Sequence, residues 1–255
     1  KCFDAYKNHF NTVIKPIHER FNVFLEECGE SAYPVGEFFE TSPYMNLLLY
    51  PKQMKFNRRN SLNPRIFQYL EGCVREETGY EVPVFKSCNS EPLLYVSFGS
   101  LGSGDTILLK RLMEAVKKMS IRALFNVGDY ESEYDNIPDN ISIASWYPQP
   151  SVISQANIVI HHGGNNSFTE CLYFGKPALI MPYVWDGHDN AKRIAETGHG
   201  CHMHRSNWSD EELTKCINQM LSDKSMQSRL DETSRQMQTQ HGPTKAAKIL
   251  NDLLS

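Results

Sequence analysis

The sequence predicts an α/β fold with a Rossmann-like, doubly wound parallel sheet over residues 92–255. From Pro92 onward, short runs rich in β-branched residues alternate with helical stretches. The runs are apolar throughout, as expected for parallel strands buried on both faces. Alternation of this kind predicts helices on both faces of the sheet. Because ligands of such sheets bind beyond the carboxyl ends of the strands, polar residues at those ends are candidates for function.

The elements can be placed in order along this region. Ser209 and Glu212 form a capping-box sequence that predicts a helix start, and Gly175 with Pro177 predicts a helix end. The predicted strands are residues 93–98, 122–127, 141–144, 156–160 and 178–181, and the predicted helices are residues 105–119, 166–174, 188–197, 209–221, 224–240 and 243–253.

Residues 1–91 do not follow this alternation. We predict a helical segment over residues 3–28 that is interrupted at Pro16, one strand over residues 45–50, and a solvated basic loop, KFNRRN. The stretch is shorter than a full second domain of roughly 100 residues or more. The sequence therefore predicts two parts, residues 1–91 and residues 92–255.

Composition excludes several classes of function. The chain has 255 residues, 40% of them hydrophobic, and a net charge of −4 without a basic stripe, which argues against binding of nucleic acid. No apolar run approaches the roughly 20 residues of a membrane span. The cysteines are odd in number and lack C-x-x-C spacing, and a sequon at Asn165 lies where a glycan would block a ligand, so we expect a cytoplasmic protein. Lys1 is not an initiator methionine, and we expect sequence upstream of it.

The most informative run is WYPQPSVISQANIVIHHGGNNSFTECLYFGKPALIMPYVWDGHDNA, residues 146–191. Within it a predicted strand, a Gly-Gly turn and a predicted helix follow directly on one another, and free N–H groups at such a helix start favour an anion. Gly163 and Gly164 would let the backbone approach a phosphate. Asn166 and Ser167 fall where an N-cap would lie and could bind phosphate oxygens.

Two further residues of the run suit a nucleoside. Glu170 lies about one helical turn further on and could reach a ribose diol, and Trp146 could offer its ring to a base. Each feature also has a structural explanation: a plain turn, a core aromatic, or a helix cap. The ordered set nevertheless points to a nucleotide with a diphosphate.

The run resembles the donor-binding signature of the UDP-dependent glycosyltransferases with the GT-B fold, and the similarity is to soluble arthropod- or plant-like members. That signature reads W-x-P-Q, H-x-G-x-N-S-x-x-E, G-x-P and P-x-x-x-D-Q-x-x-N-A. The residues that match it are Trp146, Pro148, Gln149, His162, Gly164, Asn166, Ser167, Glu170, Gly175, Pro177, Pro182, Asp186, Asn190 and Ala191. The stretch LLYVSFGS, ending at Ser100, is similar to the family's first strand and phosphate loop.

The resemblance implies a role for each candidate donor-binding residue. Trp146 would stack on uracil, Gln149 and Glu170 would bind the ribose, and Asp186 would bind hydroxyls of the transferred sugar. The residues implied at the diphosphate are Ser100, His162, Asn166 and Ser167, and we add their motif neighbours Tyr147, Gly164 and Asn165 as candidates.

One position departs from the signature, because Gly187 stands where the family has Gln. Gly187 has no side chain for a sugar hydroxyl. His188 could substitute for it, or His188 could begin the following helix and face solvent, and both remain open. We keep Gly187 and His188 as candidate donor-binding positions.

The resemblance implies the C-terminal half of a GT-B glycosyltransferase, with residues 1–91 as the end of the acceptor domain plus the interdomain linker. The implied reaction is inverting transfer of a hexose, expected to be glucose, from a UDP-sugar to a hydroxyl of a small lipophilic acceptor, as in detoxification. No cofactor or metal is expected, since the chain has no Asp-x-Asp motif.

No catalytic residue is assigned, because the family's general base belongs to the missing acceptor domain and the first-helix His9 and His18 match nothing. We therefore expect the chain alone to be inactive. Two alternatives are a natural sugar-nucleotide-binding subunit that needs a partner chain, and a related epimerase. The W-x-P-Q opening and Asp186 disfavour the epimerase.

Overall fold

The structure is a computed structural model that describes residues 2–39, 41–86 and 90–254, so Cys88 lies outside the described residues. The chain forms two compact units, Lys1–Asn46 with Pro64–Ile66, and Leu47–Asn63 with Phe67–Ser255. The predicted functional division at residue 92 stays a prediction.

The first unit is built on one long helix, α1 (Cys2–Glu27). The predicted interruption at Pro16 is wrong, because the helix runs through Pro16. Proline removes one backbone donor, but its fixed φ is compatible with a helix, so the flanking hydrogen bonds can continue. The side chain of Asn22 accepts from the Tyr33 N–H at 3.0 Å and donates to the Tyr33 carbonyl at 3.1 Å, which ties the segment after α1 back onto the helix.

The second unit begins with a two-stranded sheet of β1 (Asn46–Leu48) and β2 (Phe67–Tyr69). A short 3-10 turn, Lys52–Met54, follows β1. The sequence predicted β1 as a longer strand and did not predict β2. The basic loop at residues 55–60 is exposed except for the half-buried Phe56.

The centre of the second unit is a six-stranded sheet whose neighbouring strands are all parallel. Its strands are β3 (Leu93–Ser97), β4 (Arg122–Asn126), β5 (Ile141–Ala144), β6 (Ile158–His161), β7 (Ala178–Ile180) and β8 (Gly200–His202). Their order in the sheet is β5-β4-β3-β6-β7-β8. The predicted fold class is therefore confirmed.

Helices pack around this sheet and close its core. They are α2 (Gly99–Gly102), α3 (Thr106–Val116), α4 (Gln149–Gln155), α5 (Asn165–Tyr173), α6 (Asp186–Glu196), α7 (Asp210–Ser222), α8 (Lys224–Gln238) and α9 (Gly242–Leu254). The predicted capping box is confirmed: Ser209 accepts from the Glu212 N–H, and the Glu212 carboxylate accepts from the Ser209 N–H. The sequence did not predict α2, α4 and β8, because each is short and lacks an apolar period.

The strand order places a crevice between β3 and β6. After β3 the chain adds β4 and β5 on one side of the sheet, and after β6 it adds β7 and β8 on the other side. The direction of winding therefore reverses between the two central strands, β3 and β6. Ser97 and His161, the last residues of β3 and β6, are direct register partners. The loops after both strands therefore open at the same edge, which is where doubly wound sheets bind ligands.

Candidate functional site

A cleft of about 590 Å³ lies at this edge, within the second unit. Most of its walls come from three connections: those after β3, after β6 and after β7. The lining residues are Arg75, Phe98, Gly99, Ser100, Leu101, Gly102, Gln149, His162, Gly164, Asn165, Asn166, Ser167, Tyr183, Val184, Trp185 and Asp186.

The connection after β6, residues 162–167, is called the phosphate turn below. Gly163 has a φ of +92°, and a Cβ there would lie 2.8 Å from both Cα and O of Gly187, so only glycine fits. Gly164 is the N-cap of α5, and neither Asn166 nor Ser167 occupies the predicted cap position. Both residues instead lie in the first turn of α5, where backbone N–H groups lack intrahelical partners and can meet an anion.

Two adjacent histidines end β6 and begin the phosphate turn. His161 is fully buried; its Nδ1 accepts from the Gly163 N–H at 3.0 Å, and burial lowers the pKa of His161 to about 3. His162 lines the cleft, and burial also lowers the pKa of His162, opposed by the carboxylate of Asp186. Both rings are therefore neutral near pH 7, and His162 can offer one N–H donor to the cleft.

A hydrogen-bonded cluster joins α4 to α5 at the inner wall. Gln149 Nε2 donates to Ser167 Oγ at 3.1 Å and to Glu170 Oε2 at 2.5 Å. Glu170 is only 3% exposed, and its Oε1 lies 3.5 Å from the Arg75 guanidinium. Burial raises the pKa of Glu170, whereas Gln149 and Arg75 lower it. The structure thus brings together the two residues expected at the ribose, and their hydrogen bond fixes the carboxylate.

The outer wall is the segment between β7 and α6. Asp186 begins α6, and its Oδ2 accepts from the Asn165 N–H at 3.0 Å, so this carboxylate already occupies one free donor of α5. Trp185 is exposed at the mouth of the cleft and has φ +52° and ψ −129°, a conformation that non-glycine residues rarely adopt. Gly187 is packed so tightly that a Cβ would lie 2.6 Å from the His162 carbonyl oxygen. This packing accounts for glycine at a position where the signature has Gln.

The connection after β3 differs from the predicted phosphate loop. Gly99 to Gly102 form a single helical turn, and Ser100 and Leu101 are exposed at the cleft. A Cβ at Gly99 would lie 3.0 Å from Cε1 of His162, so the two connections are in close contact. Ser100 therefore lies where a ligand oxygen could reach it.

Besides Glu170 and Gly187, three further candidates do not line the cleft. The Tyr147 ring is only 2% exposed and packs edge-on against Tyr80 and Tyr95 in the core. His188 faces solvent in the first turn of α6, with Nε2 3.2 Å from the Tyr183 carbonyl oxygen, so a helix-start position accounts for it. Trp146 follows β5 and is 62% exposed beyond the lining residues.

The structure also adds residues that the sequence did not indicate. Arg75 comes from the segment interpreted as linker, where no motif marks it. Tyr183 packs against the ring of Phe98, and its hydroxyl donates to Asp105 at 2.9 Å. A polar residue inside the signature, such as Tyr183, could have been proposed, but Arg75 had no signal.

Two further kinds of feature are absent from the described residues. No helix in the described part of the chain is long and apolar enough to cross a membrane. Over the same residues, no cluster of three or more His, Cys, Asp or Glu side chains is arranged to hold a metal ion.

Comparison with known proteins agrees with the geometry. An NDP-glycosyltransferase, YjiC, from Bacillus licheniformis is 27% identical over 98% of this chain and 65% of its own length. The glycosyltransferase of kitacinnamycin superposes with a TM-score of 0.82, at 20% identity over 98% of this chain and 67% of that chain. The spinosyn rhamnosyltransferase SpnG, solved with thymidine diphosphate, superposes with a TM-score of 0.68 at 18% identity, over 90% of this chain and 60% of that one.

These findings place the chain in a class and a family. The fold and the cleft define the Rossmann-like C-terminal half of a GT-B glycosyltransferase fold. The family model of the erythromycin biosynthesis protein CIII-like C-terminal domain matches residues 110–253, more than half of the chain, and the chain belongs to this family. It spans about half to two thirds of the length of curated relatives such as YojK and YjiC from Bacillus. These relatives are bacterial, so they do not support the predicted arthropod- or plant-like placement.

Proposed function

We propose that this chain is the donor-binding part of a glycosyltransferase that uses a UDP-hexose. One observation supports the proposal above the others: the phosphate turn and Gln149, whose side chain donates to the buried Glu170 carboxylate, line one cleft at the switch point between β3 and β6. The turn suits a diphosphate, because it combines free N–H groups with the positive end of a helix dipole. The carboxylate suits a ribose diol, whose hydroxyl groups are donors.

The nucleotide would bind along the cleft in a defined direction. The diphosphate would meet His162, Asn166 and Ser167, with Ser100 on the opposite wall. The ribose would meet Gln149 and Glu170, displacing Arg75 from the carboxylate, and the uracil would stack on the exposed ring of Trp146. The sugar would then lie near Asp186 and Asn165, where Gly187 contributes no side chain.

We propose that binding needs no metal ion. The groups facing the diphosphate are neutral N–H and O–H donors together with the Arg75 cation, and among the described lining residues Asp186 is the single carboxylate. Preorganised donors of this kind also stabilise the charge that develops on a departing diphosphate, which is how the cleft would assist sugar transfer.

The whole protein would transfer the hexose with inversion to a hydroxyl of a small lipophilic acceptor. No general base is assigned within this chain. His18 is buried with Nε2 3.0 Å from the Glu37 carbonyl oxygen and its ring against Phe38, which is a structural role. His9 is exposed on α1. We therefore expect the chain by itself to form no glycosides, since a general base typically supplies ~10²–10⁴-fold in rate.

The decisive experiment is calorimetry of the chain with UDP, UDP-glucose and dTDP in the presence of EDTA. We expect UDP and UDP-glucose to bind, and loss of binding on chelation would exclude the metal-free proposal. Tighter binding of dTDP would keep the function but change the donor class.

Two variants test where the nucleoside binds. Glu170→Ala should cost about 1–3 kcal/mol of UDP binding, because it leaves ribose hydroxyls unpaired. Trp146→Ala should also weaken binding through lost stacking. Glu211→Ala, which removes an exposed carboxylate on α7, is the matched control and should bind normally. Wild-type affinity in both site variants would contradict the assignment of the nucleoside subsite.

Activity is tested separately, by incubating the chain with UDP-glucose and a panel of phenolic acceptors and measuring glycosides by mass spectrometry. We expect none. Robust turnover would mean that the base lies within these residues, and His9, His18 and His188 would be the first to substitute.

A further inference from the structure

A buried arginine lies behind the phosphate turn, on the face of α6 that points into the protein. Arg193 is only 8% exposed. Its guanidinium lies 4.3 Å from the ring centroid of Tyr50 and 4.3 Å from that of Phe56. Burial lowers the pKa of Arg193 from its ordinary value, but the group remains a cation at neutral pH. A buried cation is costly unless it is well paired, so this position calls for an explanation.

The guanidinium makes a directed hydrogen bond to one side chain, Asn190. Arg193 Nη1 donates to Asn190 Oδ1 at 2.9 Å. Among the described residues, Arg193 Nε has no hydrogen-bond partner. The guanidinium is therefore held mainly by aromatic rings on its faces and by one amide oxygen at its edge, an arrangement that leaves it aimed at Asn190.

The Arg193 guanidinium and the Gly163 carbonyl together select which way the Asn190 amide is turned. With Oδ1 toward the guanidinium, Asn190 Nδ2 donates to the Gly163 carbonyl at 2.8 Å and to Asn165 Oδ1 at 2.9 Å. The opposite amide orientation would direct N–H groups at the cation and an oxygen at two acceptor oxygens. An amide has nearly the same shape either way, so its partners alone select the orientation.

The selected orientation acts on the phosphate turn. Because a trans peptide is planar, its carbonyl and its N–H point in opposite directions. Holding the Gly163 carbonyl against Asn190 therefore turns the Gly164 N–H away from Asn190, and Gly164 lines the cleft. The bond to Asn165 Oδ1 likewise leaves the NH2 end of the Asn165 side chain as its free donor. Two donors of the turn are thus oriented through Asn190.

We propose that Arg193 is a positioning residue for the diphosphate subsite, held in place by an aromatic pair, Tyr50 and Phe56, from the segment between β1 and β2. The inference rests on the proposed function and extends it, because it couples that segment to donor binding. It also predicts which part of the ligand is affected. The Arg193–Asn190 contact acts on the turn, whereas the proposed nucleoside contacts at Gln149 and Glu170 are held by their bond to each other, which involves neither Asn190 nor Arg193.

The test compares the affinity of the full chain for UDP with its affinity for uridine. Arg193→Met keeps an unbranched apolar stem between the aromatic rings and removes the donor and the charge. We expect UDP affinity to fall about tenfold while uridine affinity is unchanged, because one misoriented donor of the turn would lose its hydrogen bond to the charged diphosphate. Arg193→Lys restores a donor and a charge, and it should recover most of the UDP affinity.

Two further variants complete the design. Phe56→Ala removes one ring of the aromatic pair from a half-buried position, and it should lower the UDP-to-uridine affinity ratio by a smaller factor in the same direction. Arg111→Met is the matched control, because Arg111 packs over the Trp208 ring at 3.6 Å and donates to the Ser206 carbonyl, away from the cleft lining. The UDP-to-uridine affinity ratio of Arg111→Met should equal that of the wild type.

The outcomes separate the inference from the proposed function. A folded Arg193→Met with the wild-type ratio would overturn the inference, and so would an equal fall in both affinities, which indicates general loosening. If Arg193→Met does not fold, a wild-type UDP-to-uridine affinity ratio in folded Phe56→Ala overturns the inference instead. A wild-type chain that binds uridine but neither UDP nor dTDP would overturn the diphosphate subsite itself, and a chain that binds none of them would overturn the proposed function.

Discussion

The connections after β3 and after β6 have similar local sequences but different structures. Each follows a buried parallel strand, contains closely spaced glycines and leads into a helix at the same edge of the sheet. After β6 the helix is α5, with nine residues and a network of buried partners from α4 and α6. After β3 the helix is α2, which has only four residues. A second helix, α3, follows it with Asp105 as its N-cap.

We infer from this difference that a glycine-rich turn is suited to an anion only when the residues packed behind it hold its N–H groups in place. A helix dipole needs several aligned peptides, and a four-residue helix supplies few. The phosphate turn is held by Asn190 on one side and by Gln149, through Ser167, on the other. Ser100 in the β3 connection is exposed, and its neighbour Gly99 lies against His162 of the phosphate turn.

The largest expected effect separates the glycines of the two connections. Gly163→Ala should destabilise the fold by about 3 kcal/mol, because it combines positive-φ strain with a clash against the Gly187 backbone. Gly99→Ala should cost roughly 1–2 kcal/mol, the ordinary penalty for a left-handed residue, because its neighbour is a side chain that can move. Urea unfolding of both variants measures the difference, and equal losses would mean that the two turns are equally constrained.

A second test uses the register partners at the strand ends, His161 and Ser97. The pKa of His161 is about 3 in the folded chain against an ordinary value of 6.5, so below pH 6.5 the unfolded chain binds a proton that the folded chain does not. His161 therefore contributes stability that is full above pH 6.5 and is lost as the pH falls from about 6.5 toward 3. At pH 5 the loss relative to pH 7 should be about 2 kcal/mol from this group.

The pH effect is isolated with one variant and one control. His161→Asn keeps an acceptor for the Gly163 N–H and does not titrate. The slope of the unfolding free energy against pH, measured between pH 5 and 6.5, should therefore fall by the amount that corresponds to close to one bound proton. Ser97→Ala, at the paired position of β3, should keep the wild-type slope. A His161→Asn slope equal to that of the wild type would show that the ring is not held neutral.

The third test compares the two serines that face the cleft. Ser167 is buried and its hydroxyl is oriented by Gln149, whereas Ser100 is exposed. Ser167→Ala should weaken UDP binding by about 1.5 kcal/mol, the value of a hydrogen bond to a charged group, and Ser100→Ala by about 0.5 kcal/mol. Calorimetry of both variants decides the comparison. A larger effect at Ser100 would make the β3 connection the main phosphate contact.

The smallest effect concerns Trp185, where the third wall of the cleft has positive φ without glycine. Trp185→Gly should raise the stability of the fold by about 1 kcal/mol, because it relieves backbone strain at an exposed residue. Val184→Gly, at the neighbouring exposed residue without positive φ, should instead destabilise by roughly 0.5–1 kcal/mol. If both variants lose stability, the Trp185 conformation is held by contacts and not under strain.

The fold was largely predictable from local patterns. Five of the six strands of the large sheet and the helices α3 and α5–α9 follow from apolar runs, caps and glycine stops, with ends displaced by a few residues at most. The short elements were not predictable, because Gly200–His202 becomes a strand only by pairing with β7. The predicted interruption at Pro16 was wrong for a related reason, because one missing backbone donor does not end a helix.

The candidate site likewise has one part that could be predicted from local sequence and another that could not. The groups suited to a diphosphate and a ribose in residues 162–170 could be recognised from the sequence, because their order along a strand, turn and helix is local. Packing in three dimensions was needed to show that Tyr147 is core, that His188 faces solvent, that Arg75 lines the cleft and that Arg193 is buried behind the phosphate turn. Those outcomes depend on which distant segments meet at the edge between β3 and β6, and contacts between residues far apart in the chain leave no periodic pattern in it.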